Sequence, residues 1–506
     1  MRTILAGLML LALPAQAQDK KPGLKDAMVA EAEAAAAKAP VEEQAAVSKG
    51  SVTVAGKAMA YTATAGTLTI RDDAGKPTAS MFYTAYVAPG ANRPVTFFYN
   101  GGPGSATIWL HMGSFAPVRV VTDNPEAPPP APYAAGPNPW TLIDKTDLVF
   151  IDAVGAGWSR PLGDKTGKDF NGVDQDADAF ARGIMRYVAR NNRWQSPKVL
   201  LGESYGTLRS GAVAALLENR GLSLNGVVLL STIMNYGVRQ SGYDQNSQVL
   251  LPGFAATAWY HNRLANRPAS LEAFLKDVRA FVAGPYASAL AKGSAISEAE
   301  ADSTAQQLAA YTGLSVPFIR RANLRISLAH FQTELLRDQG VTIGRLDTRY
   351  KIRAADANAD SPEEDPAGAV ITGAYFAAFQ DHAARTLGYR TDLPYALSAR
   401  GPGFDWDWRH RPQGIGVQTT PNTAIDLAQT MRLNPHMKVL FLNGYYDMAT
   451  PFYGAEFDVD HMLLPPELRA NIAFKYYESG HMIYLSQAAL ARLRADMAAW
   501  YDAMAR

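Results

Sequence analysis

Gly202-Glu203-Ser204-Tyr205-Gly206 stands between a short apolar run, Lys198 to Leu201, and an apolar-periodic segment, Leu208 to Arg220. The run is typical of a buried strand, and the periodic segment predicts a helix. Strand, sharp turn and helix are the context in which G-x-S-x-G forms a nucleophile elbow. The glycines permit the tight turn that lifts the Ser204 hydroxyl above the strand end. A chance turn motif is the alternative interpretation of the pentapeptide alone.

Further strand-like runs surround this stretch. Val95 to Tyr99, Leu148 to Ile151, Val227 to Leu230 and Val439 to Leu442 are short and apolar, as expected of strands buried on both faces. The periodic segment from Asp174 to Arg190 predicts a helix between two of them. Alternating strands and helices predict a mostly parallel, doubly wound sheet. Before it, Tyr61 to Ile70 and Met81 to Ala88 alternate and predict a hairpin.

A serine nucleophile needs a base, and the base needs a carboxylate to hold its tautomer. In α/β-hydrolases the order along the chain is Ser, acid, His, and both partners lie on loops after strands. Asp447 follows the run ending at Leu442, and His481 follows the run Ala473 to Tyr477 with a glycine directly before it. We therefore predict a triad of Ser204, Asp447 and His481. Asp152 also ends a strand and is the main alternative acid, although it precedes the serine.

Asn100-Gly101-Gly102-Pro103-Gly104 follows the strand that ends at Tyr99. Glycines at a strand end let backbone N–H groups approach a reacting carbonyl, so this loop is predicted to form half of an oxyanion hole. The N–H of Tyr205, the residue after the nucleophile, would form the other half. A structural Gly-Pro turn is the alternative.

The pattern changes along the chain and suggests a domain organisation. We expect a signal peptide at 1–17, a flexible Ala/Glu/Lys-rich segment at 18–47, and the first part of an α/β-hydrolase core at 48–241. A largely helical cap insertion is expected at 242–400, and the second part of the core at 401–506. In the insertion, Leu271, Phe274, Leu275 and Val278 share one helical face, and Ser297 with Glu300 forms a capping-box pattern.

The N-terminus carries the pattern of a secretory signal. Arg2 precedes ten apolar-rich residues from Ile4 to Leu13, and Ala15 and Ala17 fit cleavage after Ala17. The run is too short to cross a hydrocarbon core, which needs roughly 20 residues. We therefore expect export to a bacterial periplasm or beyond, without stable membrane insertion.

Composition narrows the function classes. The chain has 506 residues, with 48 Lys and Arg against 47 Asp and Glu, so no broad basic field is available for nucleic acid. Cys is absent, which excludes disulfides, thiolate metal sites and a cysteine nucleophile. No metal site is predicted, and the sequence does not indicate an oligomeric state.

The sequences Asn-Gly-Gly-Pro-Gly-Ser from Asn100, Gly-Glu-Ser-Tyr-Gly from Gly202 and Ser-Gly-His-Met from Ser479 together resemble the serine carboxypeptidase family, in that family's order. The resemblance implies an α/β-hydrolase with an inserted lid that removes C-terminal residues from peptides without a cofactor. It implies Gly102 and Tyr205 as oxyanion donors. It also implies that Asn100 and Glu203 bind the terminal carboxylate of the substrate, with a protonated carboxyl sharing a hydrogen bond with it.

The chain departs from the family pattern at several positions. Ser114-Phe115-Ala116-Pro117 stands where the family has Glu-x-Gly-Pro, so a further acid of the carboxylate site is missing, and Tyr484 replaces a common proline. The alternatives are an esterase, acyltransferase or aminopeptidase with the same triad, or a non-catalytic peptide-binding protein. Aromatic residues at Phe404, Trp406 and Trp408 are interpreted as ordinary packing.

Overall fold

The computed structural model of the chain describes part of its length. The described residues are 39–120, 131–133, 135–240, 242–400 and 404–504. The expected signal peptide and residues 18–38 of the expected flexible segment lie outside them. Within the described part, no helix is both long and apolar enough to cross a bilayer.

One large sheet forms the centre of the molecule. The strands in chain order are β1 Ala45–Val54, β2 Lys57–Arg71, β3 Pro77–Val87, β4 Val95–Tyr99, β5 Val118–Val120, β6 Ala135–Pro137, β7 Asp147–Ile151, β8 Arg160–Pro161, β9 Lys198–Ser204, β10 Gly226–Thr232, β11 Val341–Ile343, β12 Lys351–Arg353, β13 Lys438–Gly444 and β14 Ile472–Tyr477. Among the described residues, ten strands make this sheet, in the order β1-β2-β3-β7-β4-β9-β10-β13-β14, with β8 paired to β3.

The pairing directions identify the fold. Pairs from β1 to β7 are antiparallel, and every pair from β7 to β14 is parallel. A mostly parallel sheet with helical crossovers and a serine turn at the end of a central strand is the α/β-hydrolase fold. The predicted fold class is confirmed. Strand β4 lies between β7 and β9, so the chain order reverses here, and crevices at such switch points are where open α/β sheets bind ligands.

Helices connect and cover the strands. They are α1 Ile108–Leu110, α2 Val173–Arg190, α3 Tyr205–Asn219, α4 Asp244–Tyr260, α5 Leu271–Phe281, α6 Ala287–Ala291, α7 Glu298–Thr312, α8 Val316–Arg321, α9 Leu328–Glu334, α10 Pro366–Asp381, α11 Ala424–Leu433, α12 Phe452–Asp460, α13 Pro466–Arg469 and α14 Gln487–Met504. Helices α2 and α3 match the two helices that periodicity predicts. Helix α7 is capped as expected, since the Ser297 side chain accepts the Glu300 N–H at 3.3 Å.

The N-terminal hairpin is confirmed, but the sheet begins earlier than expected. The Asp72 carboxylate closes the turn by accepting the N–H groups of Ala74 and Lys76 at 3.1 and 2.9 Å. Strand β1 starts at Ala45, inside the segment that composition predicts to lie outside the core. Its alternation is hard to recognise because the chain supplies only two buried valines, Val52 and Val54, near its end.

Helices α4 to α10 lie between β10 and β13, where the insertion is expected. Their first part has its own apolar core, in which Phe254 of α4 stacks on Phe331 of α9 with 4.0 Å between ring centroids. Helix α10 behaves differently, because its Tyr375 and Phe379 belong to the core of the central sheet. The chain after β10 therefore returns to the sheet before β13 begins.

Candidate active site

The serine turn has the geometry of a nucleophile elbow. Ser204 ends β9 with φ 61° and ψ −130°, and α3 begins at the next residue. A Cβ atom at residue 202 would lie 2.2 Å from the Gly206 carbonyl oxygen, and one at residue 206 would lie 3.0 Å from the Tyr99 carbonyl oxygen. Close backbone approach therefore explains both glycines of the motif. Thr207 holds the turn by donating its hydroxyl proton to the Ser204 carbonyl at 2.7 Å.

Asp447 and His481, the predicted acid and base, lie in contact. Their side chains contact through Asp447 Oδ2 and His481 Nδ1, which are 2.8 Å apart. The Asp447 carboxylate is fully buried and also accepts the N–H groups of Ala449 and Thr450 at 2.8 Å and the Thr450 hydroxyl at 2.5 Å. These donors fix its orientation, so Asp447 can hold the tautomer of His481.

Burial works to lower the pKa of His481, but the negative charge of Asp447 and a hydrogen bond to it outweigh burial. The charge of Glu203 acts in the same direction, and the pKa of His481 is raised above its usual value. The imidazolium form is therefore favoured at this position. A base that must become positively charged during acyl transfer is stabilised by such surroundings.

Ser204 and His481 both lie at the end of β10. Ser204 pairs with Thr232 in the sheet, and the hydroxyl of the neighbouring Ser231 donates to the His481 carbonyl oxygen at 2.5 Å. The three triad side chains thus share the carboxyl edge of the sheet. The Ser204 hydroxyl makes no hydrogen bond to another described residue, and in serine hydrolases this contact often tightens only when substrate binds.

Asp152, the alternative acid, has another role. It follows β7, and its carboxylate accepts the Thr107 N–H at 2.7 Å. Gly157 packs directly against it, since a Cβ atom there would lie 1.7 Å from Asp152 Oδ2. Burial raises the pKa of Asp152 to about 7. Asp152 therefore orders the loops around β7, while the His481 ring is paired with Asp447.

The glycine loop after β4 packs onto the elbow. A Cβ atom at residue 101 would lie 2.4 Å from the Tyr205 nitrogen, and Gly102 has φ +108°, which few other residues adopt. Within the described residues, neither the Gly102 N–H nor the Tyr205 N–H donates a hydrogen bond. Two unpaired donors beside the nucleophile are what an oxyanion hole requires.

A buried arginine supports this loop from below. Arg209 of α3 is fully buried, donates to the Asn100 carbonyl oxygen at 2.7 Å, and contacts the Asp176 carboxylate at 2.7 Å. Its guanidinium also lies over the Phe180 ring, 4.1 Å from the centroid. Sequence reasoning missed Arg209. The sequence gives little indication of its burial, because a charged residue in an apolar-periodic helix is normally assigned to the exposed face.

Asn100 and Glu203, which the family resemblance implies as ligands of the substrate carboxylate, are in contact. The Asn100 amide donates to Glu203 Oε2 at 2.8 Å, and the Leu110 N–H donates to the Asn100 side-chain oxygen at 3.0 Å. Burial raises the pKa of Glu203 to about 7, although the positive charge of His481 opposes the rise. Glu203 is therefore largely a neutral carboxylic acid below neutral pH.

Tyr484 is the third member of this cluster, and sequence reasoning noted it only as a departure. Its hydroxyl donates to the Glu203 carboxyl, at 2.9 Å from Oε2 and 3.2 Å from Oε1. Its ring packs against Gly113, where a Cβ atom would lie 2.6 Å from two ring carbons. Ser114, at the position where an acid is missing, is fully buried and turns away to the Leu110 carbonyl oxygen at 2.6 Å. Tyr484 therefore supplies a polar contact to Glu203 from a different part of the chain.

Residues 345–349 of the insertion form a strap across the triad loops. The Leu346 carbonyl oxygen accepts the His481 N–H at 2.6 Å, and the Arg345 carbonyl oxygen accepts the Met448 N–H at 3.0 Å. Arg349 donates to the Glu478 carbonyl oxygen at 2.8 Å. The insertion is therefore bonded to the loops that carry the acid and the base.

Aromatic residues line the other side of the elbow. Trp406 is buried against Tyr205 with 5.4 Å between ring centroids, so packing is its main role. Trp408 is partly exposed and lies 6.1 Å from Tyr205 and 4.7 Å from Tyr236 by the same measure. The interpretation as ordinary packing fits Trp406, whereas Trp408 and Tyr236 are partly exposed.

The sequence matches no protein-family model and no curated protein. Among solved structures, it is similar to Kex1Δp, a prohormone-processing carboxypeptidase from Saccharomyces cerevisiae, at 13% identity over 87% of this chain and 91% of that chain, with a TM-score of 0.48.

Two further solved structures have other activities. A proline iminopeptidase from Mycobacterium smegmatis is 14% identical over 87% of this chain and 98% of that chain, with a TM-score of 0.35. A carboxyl esterase from Bacillus coagulans is 10% identical over the same shares, with a TM-score of 0.36. Similarities this low assign no function, and the fold assignment depends on the sheet and the elbow.

Proposed function

We propose that this chain is a serine carboxypeptidase that releases C-terminal amino acids from peptides. The α/β-hydrolase fold and the Ser204, His481 and Asp447 arrangement support a serine hydrolase. The observation that carries the narrower proposal is the buried carboxyl of Glu203, held by Asn100 and Tyr484 next to the base. A neutral carboxylic acid can donate a hydrogen bond to the free carboxylate at a peptide C-terminus.

In acylation, the Ser204 oxygen attacks the carbonyl carbon of the last peptide bond while its proton passes to His481 Nε2. Asp447 stabilises the resulting imidazolium through Nδ1. The carbonyl oxygen becomes an oxyanion that accepts the N–H groups of Gly102 and Tyr205. His481 then protonates the leaving nitrogen, the C–N bond breaks, and the terminal amino acid departs.

In deacylation, a water molecule replaces the departed amino acid. His481 takes a proton from the water as its oxygen attacks the acyl ester on Ser204. The same oxyanion donors stabilise the second tetrahedral intermediate. When it collapses, the proton on His481 returns to Ser204, and the shortened peptide leaves with a new C-terminal carboxylate.

The proposal predicts a pH dependence specific to substrates with a free C-terminus. Below about pH 7, Glu203 is neutral and hydrogen-bonds the substrate carboxylate. Above that pH, it ionises, and two negative charges at one site repel each other. The ratio of kcat/KM for a free peptide to that for its amidated analogue should fall about tenfold per pH unit in this range. The titration of His481 affects kcat/KM for both substrates equally, so its effect cancels in the ratio.

The test uses matched peptides, one with a free C-terminus and one amidated, with the wild type and Glu203→Gln. The wild type should prefer the free peptide by at least about tenfold below pH 7. Glu203→Gln should remove the pH dependence of the ratio, because a glutamine does not ionise. Equal cleavage of both peptides by the wild type contradicts a carboxypeptidase and favours an esterase, acyltransferase or aminopeptidase.

We further propose that the protein is exported to the bacterial periplasm or secreted. The support is the pattern of residues 1–17 in the sequence, which lies outside the described residues. N-terminal sequencing of the protein from an expressing bacterium should begin at Gln18. A mature protein that retains Met1 and stays in the cytoplasm contradicts export.

A further inference from the structure

Three arginines, Arg239, Arg345 and Arg400, lie on loops that border the active site. Burial raises the pKa of Tyr236, and the positive charges of the three arginines oppose that rise. Each is tied to an active-site loop. Arg239 lies one turn after Tyr236, and its N–H donates to the Tyr236 carbonyl oxygen at 3.1 Å. The Arg345 carbonyl oxygen accepts the N–H of Met448, the residue after Asp447. Arg400 donates to the Pro103 carbonyl oxygen of the glycine loop at 3.1 Å, and also to that of Gly102.

These guanidinium groups have no acidic partner in contact. Among the ion pairs of the described residues, none includes Arg239, Arg345 or Arg400, whereas Arg209 and Arg349 contact carboxylates at 2.7 and 2.6 Å. Arg239 is the most enclosed of the three, and burial lowers its pKa. A partly buried cation without a counterion is costly, and an anion that reaches it is bound favourably.

The acids that act on Arg239 do not neutralise it. The acidic groups acting on Arg239 are Asp447, which is committed to His481, and Asp458 of α12. Burial raises the pKa of Asp458 to about 8, so this group is mostly uncharged at neutral pH. Arg239 is therefore a cation that neither acid neutralises.

Arg239 lies on the opposite side of Ser204 from Asn100, whereas Arg400 reaches the glycine loop after β4. In the sheet, β9 with Ser204 lies between β4 and β10. Asn100 follows β4, and Tyr236 and Arg239 follow β10. A peptide with its terminal carboxylate at Asn100 and Glu203 would extend its acyl part, the part that stays on Ser204, toward β10.

We propose that Arg239, with Arg345 and Arg400 at the rim, selects substrates whose acyl part carries an acidic side chain next to the scissile bond. This inference rests on the proposed carboxypeptidase function, because that function determines which part of the substrate lies toward β10. Trp408 and Tyr236 provide an apolar wall along which the methylene groups of a glutamate side chain can pack, with the carboxylate at the arginines.

The first experiment compares three N-blocked dipeptides that end in alanine and carry Glu, Gln or Lys before it. The wild type should cleave the Glu peptide with a kcat/KM at least about tenfold above the Gln peptide, and the Lys peptide more slowly than both. Higher salt should reduce the preference, because Arg345 and Arg400 are exposed. Equal values for the three peptides overturn the inference and leave the carboxypeptidase proposal intact.

Variants of Arg239 test whether its charge produces the preference for the Glu peptide. Arg239→Gln should bring the Glu to Gln ratio close to one, and Arg239→Lys should retain part of the preference because the charge remains. Arg321→Gln, at an exposed arginine of α8 in the insertion, is the matched control and should keep the wild-type ratio. A wild-type ratio in a folded Arg239→Gln variant, with folding checked by its melting temperature, contradicts the role of Arg239.

A second substrate series separates this inference from the proposed function. The p-nitrophenyl esters of N-blocked Glu, Gln and Lys place the same acyl groups on Ser204 without needing a C-terminal carboxylate. If no dipeptide is cleaved but the Glu ester is preferred and the preference needs Arg239, the carboxypeptidase proposal fails and selection by charge stands. If the esters show no preference for Glu, the inference fails whatever the dipeptides show.

Discussion

The two sides of Ser204 are built in different ways. On the β4 side, the glycine loop and the elbow are each a run of five consecutive residues, and their backbones touch at Gly101 and Tyr205. On the β10 side, the surface combines Tyr236 and Arg239, the strap at 345–349 and Trp408. The first side carries the predicted oxyanion donors, and its residues lie in two short sequence motifs. The second side is assembled from residues that are far apart along the chain, so only tertiary contacts bring them together.

The largest expected effect is on catalysis, at the predicted acid. Asp447→Asn should lower kcat by about 10⁴-fold, because an amide can hold His481 in the wrong tautomer and cannot offset its positive charge. KM should change little, since Asp447 does not face the substrate. Steady-state kinetics on a p-nitrophenyl ester measure this. A loss below tenfold would mean that another carboxylate serves the base and that the contact between Asp447 and His481 lacks its predicted role.

A smaller effect is expected beneath the glycine loop, on stability. Arg209→Met removes one partner of a fully buried ion pair and leaves Asp176 without its counterion. We expect the free energy of unfolding to fall by about 3–5 kcal/mol, measured by urea denaturation. Arg267→Met is the control, since Arg267 is exposed and, among the described residues, pairs only with the Trp259 ring and carbonyl group. Equal losses in the two variants would contradict the structural role of Arg209.

The smallest expected effect concerns the hydrogen bond between Tyr484 and Glu203. Tyr484→Phe keeps the ring against Gly113 and deletes the hydroxyl that donates to Glu203. Since that hydrogen bond helps to hold the carboxyl, we expect kcat/KM for the free-carboxylate peptide to fall about fivefold to tenfold. The value for the amidated peptide should be unchanged. An equal fall for both peptides would assign Tyr484 to packing and not to the carboxylate site.

The predictable features of the site are those with short-range signals. The elbow, the glycine loop and the order of Asp447 and His481 follow from local patterns, and the structure brings Asp447 and His481 into contact. The fold class follows from alternating strands and helices. Strand β1 was missed because its residues are mostly small or polar, so its burial depends on β2 pairing with it.

The remaining features depend on distant contacts. Tyr484 reaches Glu203, which lies 281 residues earlier in the chain, and no spacing rule connects them. Arg209 appears as a charged residue in an apolar pattern, and only the packed structure shows its partners Asp176 and Asn100. The strap bonds to the triad loops through backbone carbonyl groups, which carry no sequence signal.

The most direct test of the central claim is covalent labelling with a fluorophosphonate, followed by mass spectrometry of the digested protein. Ser204 activated by His481 should give one adduct, on the peptide containing Ser204, and Ser204→Ala should give none. Asp447→Asn should react far more slowly than the wild type. No adduct on folded wild-type protein, or an adduct on another residue, would contradict Ser204 as the nucleophile and favour a binding protein that keeps the fold without its chemistry.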